Sequence, residues 1–220
     1  MKSRKESALC GLEENLRLAL LPYVERGDYR RALAIAKRAF SANPANFYCR
    51  YQYAKILGDW ADELPNARKA KLKREAISIL RPLLKMLSRK PLAQRFGICL
   101  NYYYQSEAFR EMYAYGRRLS REDERLGAYA KGLAAAYVAQ ELQGPHRNAA
   151  VSWAEKSVEA WKSYGLSKEK YYFAHYVYAK ALAIAGHKKL ALASLKRAAK
   201  LGKRPLTDWE FADAKALIDT

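Results

Sequence analysis

Residues 16–44 read LRLALLPYVERGDYRRALAIAKRAFSANP, and the spacing within this stretch decides the fold class. Apolar or small side chains at Leu16, Ala19, Leu20 and Tyr23, then at Ala32, Ala36 and Ala39, recur at intervals of three and four and mark one face of each of two helices. Gly27-Asp28 makes the turn between them, and Pro44 ends the second. The same periodicity extends N-terminally through Leu9 and Leu12, and no run of alternating β-branched residues occurs anywhere in the chain. An all-α fold follows.

Turn signals continue at short intervals: Asn43-Pro44, Gly58-Asp59, Pro65-Asn66, Lys90-Pro91, Gly144-Pro145, Gly165, Gly186 and Pro205. They cut the chain into helices of roughly 12 to 20 residues joined by brief connections. A single helical hairpin cannot bury its apolar faces alone, so such a rhythm calls for copies that stack on one another. One copy is plain: His175-x2-Tyr178-Ala179-x2-Leu182-x8-Ala191-x3-Leu195-x2-Ala198 repeats the intervals of Leu16-x2-Ala19-Leu20-x2-Tyr23-x8-Ala32-x3-Ala36-x2-Ala39-x4-Pro44, with Gly186 in the place of Gly27.

This spacing resembles the roughly 34-residue pattern of the tetratricopeptide repeat (TPR) family. Small residues at Ala32 and Ala39 let the helices of a hairpin approach, and Tyr23 fills the gap between hairpins. The resemblance implies a right-handed α-solenoid of about five TPR-like hairpins, over residues 8–46, 47–90, 91–120, 122–164 and 168–204. The middle copies are irregular. Arg50, Tyr53, Ala54 and Leu57 open a unit whose second helix, with Ala76, Leu80 and Leu83, arrives late, so an insertion is expected as a loop from Gly58 to about Arg68. Phe96-Gly97, Leu100, Phe109, Tyr113 and Gly116 form the least regular copy, with bulky residues where the family prefers small ones. Tyr129-Ala130 and Leu133 lead to Ala150 through an enlarged turn around Gly144-Pro145. Pro82 predicts a break in its helix. Residues 206–220, with four acids against the single base Lys215, are expected to form a polar C-terminal capping helix started by Thr207 or Asp208, and residues 1–6 to be disordered.

Charge is the strongest compositional signal. Lysine and arginine number 41 against 22 acids, a formal net charge of +19, which favours an acidic partner: nucleic acid, an anionic surface or an acidic protein. No apolar run approaches the roughly 20 residues of a membrane-spanning helix, and no signal peptide is expected. Cys10, Cys49 and Cys99 are odd in number and widely spaced, which argues for free thiols in a reducing, cytoplasmic setting rather than a disulfide framework or a metal site. His146, His175 and His187 share no metal-ligand spacing, and no nucleophile motif or phosphate loop occurs. Neither catalysis nor a cofactor is expected.

Two sets of residues remain as binding candidates. Tyr53-Ala54-Lys55, Tyr129-Ala130-Lys131 and Tyr178-Ala179-Lys180 recur at equivalent places in first helices. In the TPR family those helices line a concave groove, so the resemblance implies a ladder of Lys55, Lys131 and Lys180. Tyr51 and Tyr176 lie one helical turn before Lys55 and Lys180. Such a surface suits an acidic or extended peptide partner, although the full carboxylate clamp of some family members is not matched. The competing reading packs the tyrosines between hairpins and leaves the lysines solvated. The other set lies in second helices: Arg68, Lys69, Lys71, Lys73 and Arg74, then Lys188, Lys189, Lys196 and Arg197. Residues 68–90 hold nine bases and one acid, Glu75. These faces fit a nucleic acid or another polyanion, or are merely solvated. An interaction adaptor binding an acidic peptide in the groove is the expected function, with polyanion binding as the alternative.

Overall fold

The computed structural model describes residues 4–64, 66–144, 146–168, 172–201, 212, 214–216 and 218, and it is all-helical, with no strand among them. Two compact units divide at Glu107. The first contains α1 (Arg4–Val24), α2 (Tyr29–Ala42), α3 (Phe47–Ala61), α4 (Asn66–Leu84) and α5 (Leu92–Gln105), with a short 3-10 turn at Leu87–Arg89. The second contains α6 (Phe109–Leu119), α7 (Glu124–Glu141), α8 (Arg147–Tyr164), α9 (Tyr172–Ile184) and α10 (Lys188–Leu201). Within each unit sequential helices pack as neighbours, and alternate helices also touch: α3 meets α1 and α5, and α7 meets α9.

The turns show why the chain reverses where it does. Gly27 has φ 71°, and beyond it Asp28 N–H donates to the Tyr23 carbonyl at 2.9 Å. Gly186 has φ 85°, and His187 N–H donates to the Leu182 carbonyl at 2.8 Å. Both are the hydrogen-bond pattern of a Schellman C-cap, in which a left-handed residue lets the next amide satisfy an orphan carbonyl. Asp28 then starts α2 by accepting from Arg31 N–H. Asn46 and Asp123 cap α3 and α7 in the same way.

In the first unit one core cluster joins Leu16 and Leu20 of α1, Ala32 and Ala36 of α2, Cys49, Tyr53, Ile56 and Leu57 of α3, and Ala76 of α4. The alanines are fully buried, which is why these helices approach so closely. A second cluster, Phe47, Ala54, Leu80, Leu83 and Ile98, ties α3 and α4 to α5. In the second unit α7 is buried almost all round, from Gly127 through Ala139, as a helix packed against α6, α8 and α9 requires.

Several expectations change. The loop foreseen from Gly58 to Arg68 is mostly helix: α3 continues to Ala61 and α4 begins at Asn66. Gly58 lies within α3 and is no turn residue; a Cβ there would overlap the Gln105 side-chain amide, and the missing side chain is room for α5. Pro82 does not break α4 on the spot; the helix runs two residues further, to Leu84. Residues 4–6, expected to be disordered, belong to α1. Of the foreseen closing helix, 212, 214–216 and 218 are helical, with Ala214 and Ile218 buried, while Thr207, Asp208 and Trp209 lie outside the described residues. No helix among the described residues is long and apolar enough to cross a membrane.

Candidate functional site

The three Tyr-Ala-Lys tripeptides share a register, because Ala54, Ala130 and Ala179 are all fully buried. Their lysines do not share an environment. Lys55 is half-buried and pairs with Asp59, one turn along α3. Tyr51 stands against α5: a Cβ at Gly97 would come 2.8 Å from its hydroxyl, which accepts a hydrogen bond from Asn101 Nδ2 at 3.2 Å. Burial pushes the Tyr51 phenol up to about 12. Lys131 lays its stem over Gly116 of α6, whose hypothetical Cβ would fall 2.9 Å from Lys131 Cγ. Lys180 is only 6% exposed, its ammonium 5.6 Å from the Tyr137 ring centre and 5.4 Å from that of Tyr176. Tyr176 itself is 2% exposed. The rung formed by Lys180 and Tyr176 is therefore part of a protein interior, where cation–π contact replaces water around the charge.

The second helices differ. On α4, Lys69 and Lys73 turn toward α3, where their ammonium groups lie 3.5 and 3.7 Å from the Asp62 carboxylate. Lys73 also pairs with Glu107 at 3.0 Å and sits over the Tyr104 ring. Burial raises the Asp62 carboxyl above its ordinary range, and Lys73 and Lys69 pull it back down. Arg68 lies over the Trp60 ring, 5.1 Å from its centre. Glu75, the only acid in α4, accepts a hydrogen bond from the Tyr53 hydroxyl at 2.7 Å and so points to the core. Burial and this acid together hold the Tyr53 phenol well above its ordinary range.

What α4 leaves outward is a line of exposed cations: Lys71, Arg74, Arg81 and, just past the helix end, Lys85. With Ser78 between them they follow intervals of three and four, so they share one face; Lys71 and Arg81 are about 15 Å apart along the axis. None of the four has an ion-pair partner among the described residues. On α2, Arg30, Lys37 and Arg38 are likewise exposed, and that helix contains no acid. From the sequence, Lys71 and Arg74 stand out as candidates and Arg81 and Lys85 only as members of the basic run 68–90, while Arg30, Lys37 and Arg38 are passed over. The signal was available: each is offset by one or two positions from the buried line of Ala32, Ala36, Ala76, Leu80 and Leu83.

On α10, Lys188, Lys189, Lys196 and Arg197 are all exposed, and the Arg197 guanidinium also donates within the chain, to His175 Nε2 at 3.3 Å and to the Ser167 carbonyl at 3.0 Å. Lys203 and Arg204 lie outside the described residues. No group of three or more His, Cys, Asp or Glu that could hold a metal ion occurs among the described residues. Compared with protein-family models, curated proteins and solved structures, the chain matches none.

Proposed function

We propose that this chain is a non-catalytic helical-repeat module that captures an acidic macromolecule on the outer face of α2 and α4. The observation that carries this reading is the sorting of charge on α4. Glu75 is turned inward to Tyr53, and Lys69 and Lys73 are matched to Asp62 and Glu107, yet Lys71, Arg74, Arg81 and Lys85 are left exposed. Unmatched like charges in a row repel one another, and an acidic ligand relieves that repulsion. The TPR-like intervals and the matching turns at Gly27 and Gly186 support stacked hairpins of right-handed solenoid type. The burial of Cys49 and Cys99 as small hydrophobic residues agrees with a reducing, cytoplasmic setting.

An acidic peptide along the first helices is the second reading, favoured by Lys55 and Lys131, which are part-exposed at equivalent positions. It has less support, since Lys55 is matched to Asp59 and Lys180 and Tyr176 are buried.

Elution from immobilised heparin, a generic polyanion, tests the choice. The Lys71→Gln, Arg74→Gln, Arg81→Gln, Lys85→Gln variant is expected to bind at least about tenfold more weakly than the unaltered chain and to elute at lower salt. Lys55→Gln combined with Lys131→Gln is expected to elute unchanged. The reverse ordering would transfer the site to the first helices.

A further inference from the structure

The character of the cationic face narrows the class of ligand, on the premise that this face is the binding surface. Among the described side chains, the exposed positions of α4 other than its cations are Ala67, Ala70, Ser78 and Pro82, and those of α2 are Ala34, Ser41 and Ala42. Each is small or lacks a large apolar group; Met86, beyond the end of α4, is a single exception. A helix that docks on a membrane needs bulky apolar residues to enter the acyl region, and neither helix presents them. A peptide partner is ordinarily anchored by aromatic or aliphatic side chains, and the exposed positions described on α2 and α4 offer none. Single-stranded nucleic acid is held largely by bases stacked on exposed rings, and no aromatic residue of α2 or α4 is exposed.

One polyanion asks only for cations on a stiff support. A nucleic-acid duplex presents phosphates outward from two strands, with its bases stacked inside and out of reach of sequence-independent contacts. We infer that α2 and α4 form a cationic rail that binds the phosphate backbone of double-stranded nucleic acid, through Lys71, Arg74 and Arg81 on α4, Lys85 just past its end, and Arg30, Lys37 and Arg38 on α2. The two helices share one core cluster through Ala32, Ala36 and Ala76, so the rail is carried by packed elements. Arg74 and Arg81 offer forked donors to phosphate oxygens, and the lysines act as point charges. Binding is indifferent to base sequence and acts through counterion release.

The test is fluorescence anisotropy of the full chain with 24-base-pair DNA and RNA duplexes, two unrelated sequences of each, from 50 to 200 mM salt. If Lys71, Arg74, Arg81 and Lys85 each neutralise one phosphate, they contribute about 3.6 to the slope of log K against log salt, or roughly a 150-fold loss across that range. The quadruple glutamine variant is expected to retain its circular dichroism spectrum and to lose about that much slope, with both sequences bound equally. A preference for DNA or RNA duplex, shared by both sequences, also supports the backbone rail. An unchanged slope in the variant, or a single strand of equal charge bound tenfold more tightly than duplex, overturns the inference. Heparin retention that depends on the rail, combined with no duplex binding, overturns the duplex assignment alone and leaves the proposed function standing. Loss of both removes the proposed function as well.

Discussion

Replacing Trp161 with alanine is expected to destabilise the second unit by about 3–5 kcal/mol, read from the urea midpoint by far-ultraviolet circular dichroism. Trp161 is the largest fully buried side chain among the described residues, with no exposed surface. It lies on α8 against Gly132 of α7, where a single methyl would come 2.8 Å from the indole ring. Tyr129 and Tyr164 meet the ring edge-on at 5.2 and 5.6 Å between centres, and Ser157 bolts the same turn to α7 by donating to the Gly132 carbonyl at 2.7 Å. The void left by alanine is thus walled by helices that cannot collapse without breaking these contacts. Trp161→Phe should cost much less, under about 2 kcal/mol. Although it loses volume, it also removes the indole N–H, which is buried without an acceptor among the described residues. A cost below about 1 kcal/mol for alanine would contradict a close-packed α7–α8 contact.

The second large effect belongs to the first unit. Leu80→Ala is expected to cost about 2–5 kcal/mol, because Leu80 is fully buried among Phe47, Ala54, Leu83 and Ile98 and joins three helices. Arg81, its neighbour in sequence, points outward, and Arg81→Ala should change stability by no more than about 0.5 kcal/mol while weakening polyanion binding. The pair separates the face of α4 that makes the fold from the face assigned to the ligand. Equal destabilisation by both substitutions would mean that the outer face is structural.

How far the chain could be read in advance depended on whether the deciding contact was local. Gly27 and Gly186 announced their turns because a left-handed residue with an orphan carbonyl behind it is a four-to-six-residue affair. The alanine of each Tyr-Ala-Lys tripeptide was legible for the same reason, since the apolar period alone places it on the core face. The lysine beside it was not. Lys55 meets an acid one turn away, Lys131 rests on a glycine of the preceding helix, and Lys180 is covered by Tyr137, 43 positions earlier. Gly58 misled because glycine marks both turns and close helix contacts, and only the position of Gln105 tells which. At Glu107 the left-handed conformation, with φ 55°, is taken by a residue that carries no turn signal, which helps explain why that copy was the least regular. The basic run from Arg68 to Lys85 was plain as composition, but its division into paired and unpaired cations rests on Asp62, Glu107 and Trp60.

The central claim, that an acidic ligand is held on the outer face of α2 and α4, is tested most directly by titrating the uniformly 15N-labelled chain with a 24-base-pair duplex and with a heparin oligosaccharide, following amide shifts. The expected result is a set of perturbations concentrated in residues 30–38 and 68–85, diminishing as salt is raised. Perturbations centred on residues 48–59 or around Lys131, with α2 and α4 unmoved, would contradict it.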